Sequence, residues 1–328
     1  MRAVVRSVGA YIPIRRMSNH EFSEFLDTSD EWIVSHTGIK YRHIAAGNQA
    51  ASDLAAEAAQ KAIQRAGMSP GDIDLILLAT ATGDFNGFPA TACIVQEMIG
   101  AKHAAAMDIT AGCTGFIYGI ETARSFIEAG STQNVLLVCT EVLSRIMNWN
   151  DRNTCVLFGD GAGAVLLSAQ DGESSNGVLA SYLRAEGAGA RMLERTAGGT
   201  RFPYNPKQTN TDELYLRMDG RGVYNFAVRV IIEAVEAILV QNDLSVDDVQ
   251  HIVPHQANIR IVQASAKRAK IPMDKFYMNI QEYANTSAAS IPLALNEMHE
   301  KGILREGDLV LTVGFGAGLT YGSNLIRW

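Results

Sequence analysis

Two hydrophobic periods alternate along this chain. From Ala51 to Ala66, alanines with Leu54 and Ile63 recur at the three-and-four spacing of an amphipathic helix, which Gly67 stops. Asp74 to Thr80 then encloses a continuous apolar run, the pattern of a strand covered on both faces. Pro89 to Ile99 is helical again and closes at Gly100. Ala104 to Ile109 reads as the next strand, and Cys113 opens a helix running to Gly130. Val135 to Cys139 and Ala162 to Ser168 add two strands. Ahead of all these, Met1 to Ile14 begins as a strand-like alternation ended by Pro13, Ser29 can cap a short helix to Val34, and Thr37-Gly38-Ile39 reads as a turn. Alternating strand and helix signals of this kind predict an α/β protein with a largely parallel, helix-covered sheet.

Beyond Asp171 the composition shifts. Ala185 to Thr211 is rich in Gly, Asn, Pro and Arg without periodicity, and a loop of that length inside a compact chain is usually functional. Helical spacing resumes from Val223 to Val240. The second half also repeats the first: the segment from Met68 to Leu77 aligns without gaps on Leu244 to Val253, at an offset of 176 residues. The helix ends at Gly130 and Gly302 give 172, a register that sets Cys113 opposite Asn285. Gly159-Asp160-Gly161-Ala162-Gly163 pairs with Gly314-Phe315-Gly316-Ala317-Gly318 at 155. The shared order of these matches predicts an internal duplication, with halves at 1–173 and 174–328.

Composition narrows the chemistry. A chain of 328 residues with 47% hydrophobic and 19% charged positions can bury a large core, and a formal charge of -7 argues against nucleic acid as the main partner. Cys93, Cys113, Cys139 and Cys155 form no CxxC pair, which disfavours a metal or disulfide framework and fits a cytoplasmic setting. No aliphatic run reaches the roughly 18 residues that a membrane span needs. Cys113 follows an apolar strand and a small-residue turn at a helix start. Unpaired N–H groups and the helix dipole there favour a thiolate nucleophile, although a free cysteine is otherwise a small buried hydrophobe.

His255, in Pro254-His255-Gln256-Ala257-Asn258, and Asn285, in Tyr283-Ala284-Asn285-Thr286-Ser287, both follow strands, where open parallel sheets form ligand sites. A structural hydrogen bond for His255 and a helix cap for Asn285 are the alternatives. Convergence of all three residues on one cleft would decide for chemistry. The two Gly-x-Gly-Ala-Gly stretches precede strand-like rather than helical residues, so they read as close backbone approaches and not as a dinucleotide fingerprint.

Six motifs now stand in order: Asp30-Glu31-Trp32-Ile33 with Thr37-Gly38-Ile39, Gly112-Cys113-Thr114-Gly115-Phe116, Phe158-Gly159-Asp160-Gly161-Ala162-Gly163, Pro254-His255-Gln256-Ala257-Asn258, Asn285-Thr286-Ser287 and Gly314-Phe315-Gly316-Ala317-Gly318. In that order they resemble the β-ketoacyl-[acyl-carrier-protein] synthase III family of thiolase-like condensing enzymes. The resemblance implies two pseudo-symmetric halves in a five-layer α-β-α-β-α sandwich. It implies that Cys113 takes an acyl group from acyl-CoA while the backbone N–H groups of Cys113 and Ala317 hold the oxyanion. His255 and Asn285 would then stabilise the enolate formed as malonyl-[acyl-carrier-protein] loses carbon dioxide. All four cysteines lie at or before Cys155, so the second half lacks the second cysteine of a thiolase, which favours decarboxylation.

By the same resemblance, Thr28, Trp32, His36, Arg152 and Asn258 follow the CoA path. Phe88 and Phe315 border the acyl pocket, Phe88 by reaching across a homodimer, and Arg260, Lys267 and Arg268 form the face for the acyl carrier protein. No metal or cofactor is implied, since acyl-CoA is a substrate. Three positions depart from the pattern: His36 stands where many relatives carry Arg, Asn225 where some carry a basic residue, and Ala317 where Gly is usual. A homologous enzyme of polyketide, quinolone or other specialised metabolism, and a Cys-His-Asn thioester hydrolase, are the alternative readings.

Overall fold

The computed structural model describes residues 1–172 and 175–328, so the expected boundary between the halves, at 173/174, lies outside the described residues. The first half runs β1 (Arg2–Tyr11), β2 (Arg15–Ser18), α1 (Asn19–Phe22), α2 (Asp30–Thr37), β3 (Tyr41–Ile44), α3 (Ala51–Arg65), β4 (Leu75–Ala79), α4 (Thr91–Ile99), β5 (Ala105–Ile109), α5 (Gly115–Glu128), β6 (Asn134–Glu141) and β7 (Gly161–Gln170). The second continues with β8 (Gly177–Ala185), β9 (Leu193–Arg195), β10 (Leu216–Met218), α6 (Gly220–Gln241), β11 (His251–Pro254), α7 (Ile259–Ala269), α8 (Ile280–Tyr283), α9 (Ser290–Glu300), β12 (Leu309–Gly316) and β13 (Thr320–Arg327). Local chemistry sets such limits. α2 begins where the Ser29 hydroxyl accepts the Trp32 N–H and ends where Gly38 turns left-handed at φ +80°.

Of the two larger sheets, one has the order β1-β7-β6-β4-β5 and the other β11-β12-β13-β8, while β9 with β10 and β2 with β3 form two-stranded ribbons. β4 is parallel to β5 and β6, and β11 to β12, but the remaining pairs of both sheets are antiparallel. Both sheets are therefore mixed, which corrects the expectation of a largely parallel one. Parallel neighbours need a helical crossover; β6 to β7 and β12 to β13 are joined without an α-helix, so the chain returns antiparallel.

The side chains of the central strands sort the layers. On β4 and β6, Leu75, Leu77, Val135 and Leu137 point to a core shared with α5, α9 and the second sheet, whereas Ile76, Leu78, Leu136 and Val138 face α3 and α4. Val253 and Val310 enter the same central core, while Ile252, Leu309 and Leu311 face α6 and α7. Two sheets thus enclose α5 and α9, with one helical layer outside each. This is the expected five-layer arrangement.

The duplication is visible element by element, but two anchors move. β1 and β8, β4 and β11, α5 and α9, and β6 and β12 begin 175 or 176 residues apart. The single-turn 3-10 helix Gly112–Thr114 corresponds to Ser287–Ala289, so Gly112 (φ +51°) is the counterpart of Ser287 (φ +50°). Asn285 falls opposite Thr110, not Cys113. An offset of 172 arises at the helix ends only because α9 has 11 residues and α5 has 14. The Gly-x-Gly-Ala-Gly stretches are not equivalents either: the first enters β7, while the second closes β12, whose counterpart is β6.

Candidate active site

Cys113 sits in the 3-10 turn after β5, and α5 proper starts two residues later. Gly112 supplies the positive φ that bends the chain toward the second half. A Cβ on Gly316, at the end of β12, would lie 2.6 Å from the Cys113 nitrogen, and one on Gly112 would lie 3.1 Å from the Ala317 nitrogen. Only glycine at both places lets the two backbones meet this closely. The Thr114 and Thr320 hydroxyls, 2.6 Å apart, tie the junction further. Ala317 is absent from the described residues with positive φ, so its Cβ imposes no left-handed strain.

The thiol is not the activated one that a helix start suggested. Burial pushes Cys113 up to about 12, the Ser287 hydroxyl pulls it down in part, and the charge of Glu141 raises it again. Cys113 lies in a short 3-10 turn two residues ahead of α5, and burial outweighs what favours its thiolate there.

His255 follows β11 directly. Its Nδ1 lies 2.7 Å from the Ser290 hydroxyl, which itself accepts the Gln256 N–H at 3.3 Å. Ser290 can donate to Nδ1, the arrangement in which the ring proton sits on Nε2. The ring meets Phe315 edge-on at 5.5 Å, and burial pushes its pKa down to about 3, so it is a neutral donor. Asn285 follows α8, not the expected strand, yet it bridges Phe158 in parallel, like a strand, and donates its N–H to the Leu157 carbonyl at 3.0 Å. Its Oδ1 accepts the Ser287 N–H at 2.8 Å, which leaves the amide NH2 as its free donor.

Cys113, His255 and Asn285 line one cavity of about 90 Å³, together with Phe315, Gly316, Asn258 and apolar residues that include Val223 and Ile261. A larger hollow of about 530 Å³, bordered by Asp84, Arg145 and Arg195, contains none of the three. Among the described residues no hydrogen bond joins Cys113 to His255.

The expected CoA residues gather at the mouth. Trp32 is half-buried, His36 stacks on it at 4.4 Å, and the Arg152 guanidinium lies 5.1 Å from the indole centre. The Thr28 hydroxyl is buried without a partner. Asn258 caps α7 and donates to the His36 carbonyl at 3.0 Å, which joins α2 to α7. Arg260, Lys267 and Arg268 are all exposed on α7, and Asn225 lines a hollow with Arg268. Phe88 is 86% exposed and does not touch the cavity of this subunit. Ser290, which holds the His255 ring, and the buried Glu141 were not singled out from sequence. The only available signal was a carboxylate closing an otherwise apolar strand at Glu141.

Comparison with known proteins gives a consistent answer. Residues 107–187 match the model of 3-oxoacyl-[acyl-carrier-protein (ACP)] synthase III, and residues 239–328 match that of its C-terminal part. The beta-ketoacyl-[acyl-carrier-protein] synthase III of Caldanaerobacter subterraneus is 48% identical over 99% of this chain and 98% of the relative. The solved 3-oxoacyl-[acyl-carrier-protein] synthase III of Aquifex aeolicus superposes with a TM-score of 0.91 at 41% identity, covering 99% and 100% of the two chains. The priming beta-ketosynthase of the R1128 polyketide pathway gives 0.90 at 31%, over 99% and 96%.

Proposed function

This chain belongs to the 3-oxoacyl-[acyl-carrier-protein] synthase III family, and on that premise we propose that Cys113, His255 and Asn285 carry the initiating condensation of fatty-acid synthesis. The chain is an acyltransferase of the condensing type. The sulfur of Cys113 attacks the thioester carbonyl of an acyl-CoA, and the resulting oxyanion lies between the N–H groups of Cys113 and Ala317. CoA leaves. Malonyl-[acyl-carrier-protein] then places its thioester oxygen against His255 Nε2–H and the Asn285 amide, carbon dioxide departs, and the carbanion attacks the acyl-cysteine to give 3-oxoacyl-[acyl-carrier-protein]. Two neutral donors suit this step, because decarboxylation needs enolate charge stabilised more than it needs a base. The carrying observation is the single cavity shared by the three residues. The absence of a Cys113 to His255 bond weighs against the hydrolase reading, which requires that pair.

Trp32 with Arg152, Thr28, His36 and Asn258 hold the nucleotide and pantetheine of CoA. His36 and the Arg152 guanidinium both lie against the indole, so the aromatic and cationic groups suited to an adenine are already gathered there. The exposed cations of α7 receive the acyl carrier protein. A homodimer forms through the edge strand β5, where Ala105 and Met107 are exposed, and carries Phe88 to the partner's acyl pocket. No cofactor takes part. Among the described residues no helix is long and apolar enough to cross a membrane, and the four free cysteines suit the cytoplasm.

Mass spectrometry after incubation with a panel of acyl-CoAs tests the reading. A stable acyl group on Cys113, released as 3-oxoacyl product only when malonyl-[acyl-carrier-protein] is added, is expected; its rapid hydrolysis would refute condensation. His255→Ala should keep that adduct and lose the second step. A preference for unusual primers would move the chain toward the polyketide-priming relative.

A further inference from the structure

The two N–H groups assigned to the oxyanion stand on different halves of the chain. Cys113 lies in the turn Gly112–Thr114, and Ala317 opens the three-residue turn between Gly316 of β12 and Thr320 of β13. Among the described residues no backbone carbonyl accepts the N–H of Cys113 or of Ala317, and no backbone hydrogen bond joins residues 111–115 to residues 316–320. Two hydroxyls bridge the gap instead. Thr114 is fully buried, and its Oγ1 lies 2.6 Å from the Ala111 carbonyl oxygen and 2.6 Å from Thr320 Oγ1. Thr320 Oγ1 also reaches the Ala317 carbonyl at 3.0 Å and the Ala111 carbonyl at 3.2 Å. A proton must lie between two hydroxyl oxygens this close, so one threonine donates to the other. If Thr114 is the donor, the Thr320 proton goes on to the Ala317 or Ala111 carbonyl; if Thr320 is the donor, the Thr114 proton goes to Ala111. Every arrangement keeps one hydrogen bond across the junction. The second turn is fastened at Leu319 as well, which exchanges backbone hydrogen bonds with Glu186 at 2.8 and 3.2 Å.

We propose that Thr114 and Thr320 are positioning residues that set the spacing of the two oxyanion donors. The inference rests on the reading that the N–H groups of Cys113 and Ala317 hold the oxyanion of the acyl thioester. Such donors act by being in place before charge develops, and a misplacement of order 1 Å can cost about 100-fold in rate. Donors on one helix or strand are spaced by that element's own hydrogen bonds. Here each donor sits in a turn, and the bond between the two turns is made by side chains. Gly112 and Gly316 permit the close approach, and the hydroxyl pair fixes it. The oxyanion forms twice, once as CoA is displaced and once as the carbanion attacks acyl-Cys113. Both half-reactions therefore need the spacing, whereas displacement chemistry at the sulfur alone does not.

The test compares two reactions of Cys113 by mass spectrometry: acylation by acyl-CoA, which builds an oxyanion, and alkylation by iodoacetamide, which does not. Thr320→Val keeps the shape and deletes the hydroxyl. It should slow acylation at saturating acyl-CoA about 10- to 100-fold, with KM and alkylation close to wild type. Thr320→Ser keeps the hydroxyl and should restore most of the rate; a packing role would give the opposite order. Thr114→Val should match Thr320→Val, and the double variant should be no slower than either, since both lose the same bond. Thr114→Val also decides the matter if Thr320→Val fails to fold. A wild-type acylation rate in a folded Val variant overturns the proposal. So does alkylation that falls as far as acylation, a Ser variant as slow as the Val one, or losses that multiply in the double variant. An absence of acyl on wild-type Cys113 overturns instead the assignment beneath it.

Discussion

Asn285 shows how a single side chain is oriented. Because Oδ1 is occupied by the Ser287 N–H, the NH2 is the group left for substrate. Asn285→Asp keeps the shape and turns an acceptor toward the enolate. Condensation should fall about 100- to 1,000-fold, as for removal of an oxyanion donor, while acyl-Cys113 still forms by mass spectrometry. Titration gives a second residue-scale prediction. His255 is held near 3 against an ordinary 6.5, so its stabilising contribution is present above 6.5 and is lost as pH falls toward 3. Glu141 is raised from 4.5 to about 7, so its contribution is present below 4.5 and is lost as pH rises through 7. Glu141→Gln removes only the second. The melting temperature of that variant relative to wild type should therefore climb between pH 4.5 and 8, by the equivalent of about 3 kcal/mol at ~1.4 kcal/mol per pKa unit. That Cys113, His255 and Asn285 meet in one cavity was legible because each sits in a short motif. The raised pKa of Cys113 and the burial of Glu141 were not, since both depend on segments far away in the chain.

At the scale of elements, the meeting of β12 with the turn before α5 has no tolerance. Gly316→Ala would set a Cβ 2.6 Å from the Cys113 nitrogen and 2.9 Å from its Cβ. The strain, about 1–3 kcal/mol for overpacking, should lower the melting temperature and abolish acylation together, read by calorimetry and mass spectrometry. At the mouth, Trp32→Ala should raise KM for acyl-CoA about tenfold with little change in kcat, because the indole contributes binding remote from the reacting carbon. Alternating periods placed the long helices and the sheet strands of the first half, and α6, since amphipathic faces are local properties. The expectation of a largely parallel sheet failed because periodicity reports covering and not polarity. The register between the halves slipped by three residues at Cys113, as short glycine matches cannot see the unequal lengths of α5 and α9.

For the whole molecule, β5 leaves one sheet edge open, with Met107 36% exposed. A lysine there should oppose strand pairing, so Met107→Lys is expected to sediment as a monomer and lose turnover with it. The other edge is β1, and its only partner in that sheet is β7. About 150 residues separate Tyr11 from Gly161. At the ~5–20 residues per second of protein synthesis, the first strand waits roughly 8–30 s for its neighbour to be made. During that interval Val4 and Val8, later buried in the core, are held on a nascent chain that has nothing to pair with. The order of synthesis thus sets a waiting time for this strand that the finished fold does not reveal.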